Sequence, residues 1–174
     1  MFGRDPLADP APLIRRVYSY VSYRLGDGPE AEDVTSDVFE SAVRYRSSFD
    51  SRKGEPIAWL FGIARHRVAW WLANRPQPAA ELDEQEAAGD VESETVERVA
   101  LEAALATLSE RDQELLALRY GGDLRAREIG RILGLKTNTV EVALHRALER
   151  LRAAVEGETQ QAESDVVDAA EEPV

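Results

Sequence analysis

Cysteine is absent from this 174-residue chain, and histidine occurs only as His66 and His145. Without thiols there is no disulfide framework and no thiolate metal site. Two isolated imidazoles, with no HExxH pattern, leave little from which to build a zinc or general-base centre. Lysine is nearly missing too: Lys53 and Lys136 are the only lysines among 21 basic residues, the rest being arginine. No stretch approaches the roughly 18 consecutive apolar residues that a membrane span needs, so membrane insertion is not expected. The apolar run from Leu7 to Ile14 is broken by Asp9, Pro10 and Pro12, unlike a signal-peptide core. Gly121-Gly122 precedes a helix but follows no strand, so it is not a phosphate loop. Enzymatic activity, a cofactor and a resident metal are therefore not expected. A reducing cytoplasm is the default compartment.

What is abundant is acid. The net charge is −12, and its distribution is uneven. Residues 1–75 carry a net +1 and residues 98–152 a net +2, whereas residues 76–97 carry −8 and residues 153–174 carry −7. The two acidic stretches lack hydrophobic periodicity and read as unfolded. Their charge is largely screened beyond about 8 Å at physiological salt. The two remaining parts are near neutral, so any affinity for DNA should be weak in isolation.

Residues 1–12 are Pro-rich and read as a flexible arm. Leu13–Leu25 is helical, with Leu13, Ile14, Val17, Tyr20, Val21 and Leu25 on a wide apolar face. Gly26-Asp27-Gly28 breaks it, and Pro29 suits the first position of a second helix. That helix runs to about Arg46, with Val34, Val38, Ala42 and Tyr45 facing inward and Phe39 flanking. Its other face holds Glu32, Asp33, Ser36, Asp37 and Glu40; solvation alone would account for such a face. A polar loop, Ser47–Glu55, contains Phe49 and Asp50.

Pro56 opens a third helix, to about Asn74, with two apolar faces. Ile57, Leu60, Phe61, Ala64, Val68, Trp71 and Leu72 make the core face. Trp59, Ile63, His66 and Trp70 follow a second one, with Arg65 and Arg67 beside it. Aromatics interleaved with arginine suit single-stranded nucleic acid, because bases stack on the rings while arginine holds phosphate. A central helix buried on both sides would show the same pattern.

Residues 76–92 read as a flexible acidic linker, whose ~18 residues reach at most ~60 Å when extended. A second domain, residues 93–153, follows. Ser109-Glu110-Arg111-Asp112 fits a capping box. Residues 123–152 then form two amphipathic helices around Gly134, a natural helix C-terminus, with only Leu135, Lys136 and Thr137 between. Thr137 or Thr139 can cap the second helix. This is the helix-turn-helix pattern. The outward face of its second helix, with Glu141, Val142, His145 and Arg146, is the one that would enter a major groove. Residues 154–174 read as an acidic disordered tail.

Three stretches in order, AEDVTSDVF (31–39), AWLFGIARHRV (58–68) and LSERDQELLALRY with EIGRILGLKTNTVEVALHRALERLR (108–152), carry a resemblance. Together with the linker, the chain resembles the extracytoplasmic-function (ECF) sigma factors of bacterial RNA polymerase over residues 13–152. The resemblance implies an all-α protein of two small helical domains. It implies that Glu32, Asp33, Asp37 and Phe39 dock on the clamp helices of the polymerase largest subunit. Phe49, Asp50, Trp59, Arg65, His66, Arg67 and Trp70 would capture the minus-ten element of promoter DNA. Lys136, Thr137, Asn138, Thr139, Glu141, Val142, His145 and Arg146 would read the minus-thirty-five element, beside the polymerase flap region. An anti-sigma factor is a further partner that the resemblance admits. The family run GTV(K/R)SRL is here Asn138-Thr139-Val140-Glu141-Val142-Ala143-Leu144, so two usual basic positions hold Glu141 and Ala143. A Glu can accept from cytosine N4 but cannot hold phosphate. Two other readings stand beside this one: a stand-alone helix-turn-helix regulator that binds duplex DNA without polymerase, and a helical adaptor that no longer binds DNA.

Overall fold

The computed structural model describes residues 5–75 and 92–170, the side chains of 92–98 and 158–170 apart. Seven α-helices are found there, and no strand among the described residues: α1 (Pro10–Leu25), α2 (Pro29–Arg44), α3 (Pro56–Asn74), α4 (Glu92–Thr107), α5 (Glu110–Leu116), α6 (Ala126–Leu133) and α7 (Thr137–Ala170). A short 3₁₀ turn, Arg46–Ser48, follows α2, and one π-helical turn, Ala117–Gly121, extends α5.

Proline at the first turn sets the start of α1, α2 and α3, where its missing N–H costs no helical bond. Residues 5–9 are less loose than a Pro-rich arm suggests. Asp5 accepts hydrogen bonds from the Leu7 and Ala8 backbone N–H groups, and Leu7 packs on the core. The first three helices bury Val17, Tyr20, Val21, Val34, Val38, Ala42, Leu60, Phe61, Ala64 and Val68 against one another. Tyr20 meets Phe61 edge-on, with ring centroids 5.3 Å apart, a favoured aromatic geometry. Tyr45, expected inside, is 55% exposed because α2 ends at Arg44.

In the second half, Ser109 caps α5 by accepting from the Asp112 N–H at 3.2 Å. Ser109→Ala should cost about 1 kcal/mol of stability, the usual value of such a cap; chemical denaturation measures it directly. The α5 helix does not run on to Gly121-Gly122 in regular form. It widens into the π turn, closed by the Gly122 N–H to Ala117 O bond at 2.8 Å. Asp123 then takes a left-handed φ of 50°, turning the chain into α6. Gly134 ends α6 with φ 67°, the conformation that glycine adopts at least cost. Neither threonine stands ahead of α7 as a cap: the helix already begins at Thr137, and Lys136 O accepts from the Val140 N–H.

Helix α7 continues to Ala170, into the stretch that composition reads as a disordered tail. The segment after Gly157 is rich in Ala, Glu and Gln and has no proline before Pro173. These are good helix formers, and extending an existing helix avoids the cost of nucleation. Of the acidic linker, residues 76–91 lie outside the described residues, and Glu92 already belongs to α4.

The two halves are packed together. Buried residues of α1 to α3 and of α5 to α7 form one continuous apolar cluster. The π turn sits against α1. A Cβ built on Gly121 would lie 2.9 Å from both Ser19 O and Tyr20 Cα, and one on Gly122 would lie 2.7 Å from Phe61 Cζ.

Candidate nucleic-acid interface

Helix α3 places its two faces differently. Ile57, Leu60, Phe61, Ala64 and Val68 are buried. On the second face Trp59 and Ile63 are half-buried, whereas His66 is exposed and Trp70 is 62% exposed. That gradient along one helix leaves an aromatic ring open to solvent at the C-terminal end, available for stacking. At the N-terminal end Trp59 is covered by Phe49, with centroids 5.7 Å apart and planes tilted by 57°. The loop is thereby pinned to the helix by its one large apolar side chain. Asp50 stiffens the same loop: it accepts from the backbone N–H and the guanidinium of Arg52, each at 3.0 Å. These bonds, the side-chain one first, hold its carboxyl down to about 2, so it is fully ionised near neutrality.

The two arginines beside this surface are engaged inside the protein. Arg67 donates to Ser41 Oγ at 2.7 Å, tying α3 to α2. Arg65 forms an ion pair with Glu114 of α5 and reaches Ile132 O of α6 at 3.3 Å. Sequence periodicity put Arg65 next to the aromatic face; the structure turns it toward the second domain.

On α2, Glu32, Asp33, Ser36, Asp37 and Glu40 are exposed, as is Val43 at 58%. Phe39 is half-buried, and with Ser36, Glu40, Val43 and Arg44 it lines a shallow groove. An apolar groove on a face whose exposed charges, Arg44 apart, are the carboxylates of Glu32, Asp33, Asp37 and Glu40 suits protein docking rather than nucleic acid, since phosphates would be repelled.

The second helix of the helix-turn-helix, α7, has its outward side divided between two grooves. Asn138, Thr139, Val142 and Arg146 line one of about 850 Å³, together with Arg111, Asp112 and Arg150. Glu141 and His145 line the other, with Arg119, Tyr120 and Arg125. His145 Nε2 lies 3.4 Å from Glu149, a pair that is ionic only when the imidazole is protonated. Lys136 is exposed, and Thr137 is half-buried at the helix start. Arg111 was not legible as a site residue, because the capping motif that contains it explains it locally. Yet α5 brings it to the same groove as Arg146. Arg150 there is held by the buried Asp112 at 2.7 Å.

Comparison with known proteins decides the family. The sigma-70 region 2 model matches residues 12–75, and the sigma-70 region 4 model matches residues 98–151. The ECF RNA polymerase sigma factor ShbA of Streptomyces griseus is 35% identical over 138 residues, covering 72% of this chain and 70% of its own length. The chain belongs to the ECF RNA polymerase sigma factors. A second sigma factor of this family, BldN of Streptomyces coelicolor, is 31% identical over 143 residues. The match covers 78% of this chain but only about half, 54%, of BldN. Among solved structures, the sigma factor RpoE of Bartonella quintana, in complex with the anti-sigma factor NepR, gives a TM-score of 0.63 at 19% identity. It covers 84% of this chain and 93% of RpoE. At that identity the likeness concerns the fold, and it extends over both domains of this sigma factor. No helix among the described residues is long and apolar enough to cross a membrane.

Proposed function

We propose that this sigma factor binds core RNA polymerase through the acidic face of α2, using Glu32, Asp33 and Asp37 around Phe39. It then directs the enzyme to promoters whose minus-thirty-five element is read by α7 and whose minus-ten element is opened at α3 and the Phe49 loop. The protein itself carries out no bond chemistry, and its place of work is the cytoplasm, where polymerase is. The observation that carries the reading is the ordered pair of region 2 and region 4 matches in one chain. Within it, each element has a surface of suitable chemistry: acidic and apolar on α2, aromatic on α3, polar with arginine on α7. Opening follows from capture. Unstacked bases bound on Trp70 and in the Phe49 loop draw the duplex toward its melted state, most cheaply where the sequence melts easily. Each domain holds DNA weakly alone, and polymerase raises their effective concentration. One structural neighbour, RpoE, is a sigma factor in complex with the anti-sigma factor NepR, and another, CnrH, is in complex with the cytosolic domain of CnrY. We extend a partner of that class to this chain.

The decisive experiment is reconstituted transcription with core polymerase and fragmented DNA of the source genome, mapping RNA 5′ ends. Discrete new starts that require the protein are expected. Failure to bind polymerase would return the stand-alone regulator to first place. Asp37→Arg places a cation in the docking face and should weaken polymerase binding by about tenfold, the equivalent of ~1.4 kcal/mol. Fluorescence anisotropy with labelled protein measures this, and unchanged affinity would reduce that face to a solvated surface.

A further inference from the structure

Near the start of α7 stands a carboxylate that the fold leaves unclaimed. Further along the helix Arg150 is held by Asp112, and Glu149 lies against His145. Glu141 is exposed, and its carboxylate makes no hydrogen bond or ion pair with any described residue. It shares a groove with Arg119 and Arg125, yet pairs with neither. Arg119 is turned away, donating to Leu124 O at 3.1 Å. Arg111 and Arg146 line the other groove.

The position of Glu141 sets what it can meet. It is the fifth residue of α7, in the N-terminal part of the second helix of the helix-turn-helix, the part that reaches base edges in the major groove. Arg125 stands at the start of α6 and is exposed; in such a unit the first helix crosses the DNA backbone. The groove they share therefore runs from a phosphate-holding edge to a base-facing one, with Glu141 at the latter. A carboxylate carried to DNA is repelled by the phosphates and gives up water. The two neighbouring guanidiniums ease the repulsion, but a hydrogen-bond donor is still needed in place of the water. A carboxylate can only accept. Guanine presents acceptors alone, O6 and N7, and thymine presents O4 and a methyl group. Adenine sets its N6 donor beside the N7 acceptor, whose lone pair would face the second carboxylate oxygen. Cytosine presents the N4 donor with no acceptor beside it. We infer that Glu141 is a specificity-determining residue that selects a cytosine within the minus-thirty-five element. It does so chiefly by exclusion, because opposite guanine or thymine the carboxylate is desolvated and unpaired. The assignment rests on the sigma-factor reading of α7 and adds to it one base, on one residue, by one hydrogen bond.

The test is transcription by core polymerase with the full-length protein on templates randomised through the minus-thirty-five element, followed by sequencing of the templates that yield RNA. One position should be cytosine on the strand facing Glu141. Its advantage over guanine should be about tenfold, the low end for a good side-chain contact to a base, since base pairing leaves only one N4 hydrogen free. Glu141→Gln, whose amide both donates and accepts, should move the preference at that position to adenine, and Glu141→Arg should move it to guanine. Glu141→Ala should flatten it. The other positions should keep their bases in all four proteins. Position 141 is exposed, so the variants should fold as the parent does, which circular dichroism checks. If the parent and its variants drew the same sequences from the pool, the assignment would be overturned. A change in yield on every template alike would overturn it too, since Glu141 would then act as bulk charge. Both of those failures leave transcription intact. No transcript from the parent on any template would instead bring down the sigma reading, and the assignment with it.

Discussion

Truncating Phe61 to alanine is expected to cost about 3–5 kcal/mol of folding stability, the range found when a buried phenylalanine is removed from a close-packed core. Phe61 has no exposed surface. One edge meets Tyr20 and the ring tip abuts Gly122, so the ring fills space that belongs to both domains at once. A loss of this size is a large part of the ~5–15 kcal/mol that a domain usually has. Urea unfolding followed by tryptophan fluorescence would measure it. Phe61→Leu should lose much less, because a large apolar group still fills the space. If Phe61→Ala lost less than about 1 kcal/mol, the contact across the seam would have to be absent in solution.

Trp70→Ala should behave in the opposite way, sparing the fold and impairing function. Trp70 is 62% exposed, and exposed substitutions of this kind typically stay within about 0.5 kcal/mol of the parent. A base stacked on an aromatic ring is worth roughly 1–3 kcal/mol, so promoter opening should fall by between about fivefold and a hundredfold, with polymerase affinity unchanged. Permanganate reactivity of unpaired thymines in the polymerase complex reports opening, and anisotropy reports binding. Parallel loss of both would remove the role given to this face. Trp59→Ala is a less clean test, since Trp59 also anchors Phe49 and its removal would loosen the loop.

Much of this architecture was legible because it is local. Proline starts, the Ser109 cap and the left-handed Gly134 depend on a few neighbouring residues, and the 3.6-residue periodicity picks out the buried faces of α1 to α3. The rest depended on contacts between distant segments. Periodicity placed Arg65 beside an aromatic face but could not say that Glu114, 49 residues later, would claim it. It showed a second apolar face on α3 without showing that Trp59 and Ile63 would be half-covered while Trp70 stayed open. In the tail, acidic composition signals disorder and helix propensity at once, and continuity with α7 favours helix. The exposed surface of α7 read as a single recognition face, yet α5 on one side and the α6 region on the other divide it. This sets Glu141 in a different groove from Arg146 and Arg111. The replacement of a usual basic residue by Glu141 thus leaves the groove of Arg111 and Arg146 without an added carboxylate, and sets Glu141 beside Arg119 and Arg125.

The contact of Gly121 with α1, where the two domains meet, is also unequal in what it permits to vary. On one side the contact atoms are a carbonyl oxygen and an α-carbon, which any amino acid at positions 19 and 20 would supply. On the other, only the residue without a side chain fits. Ser19 can therefore drift over a lineage, acquiring charge or bulk on its exposed side, without altering that contact. A single codon change at Gly121 would alter it at once. Sensitivity of the domain contact to change is thus concentrated in one heritable position, outside the surfaces proposed to dock polymerase and to read DNA.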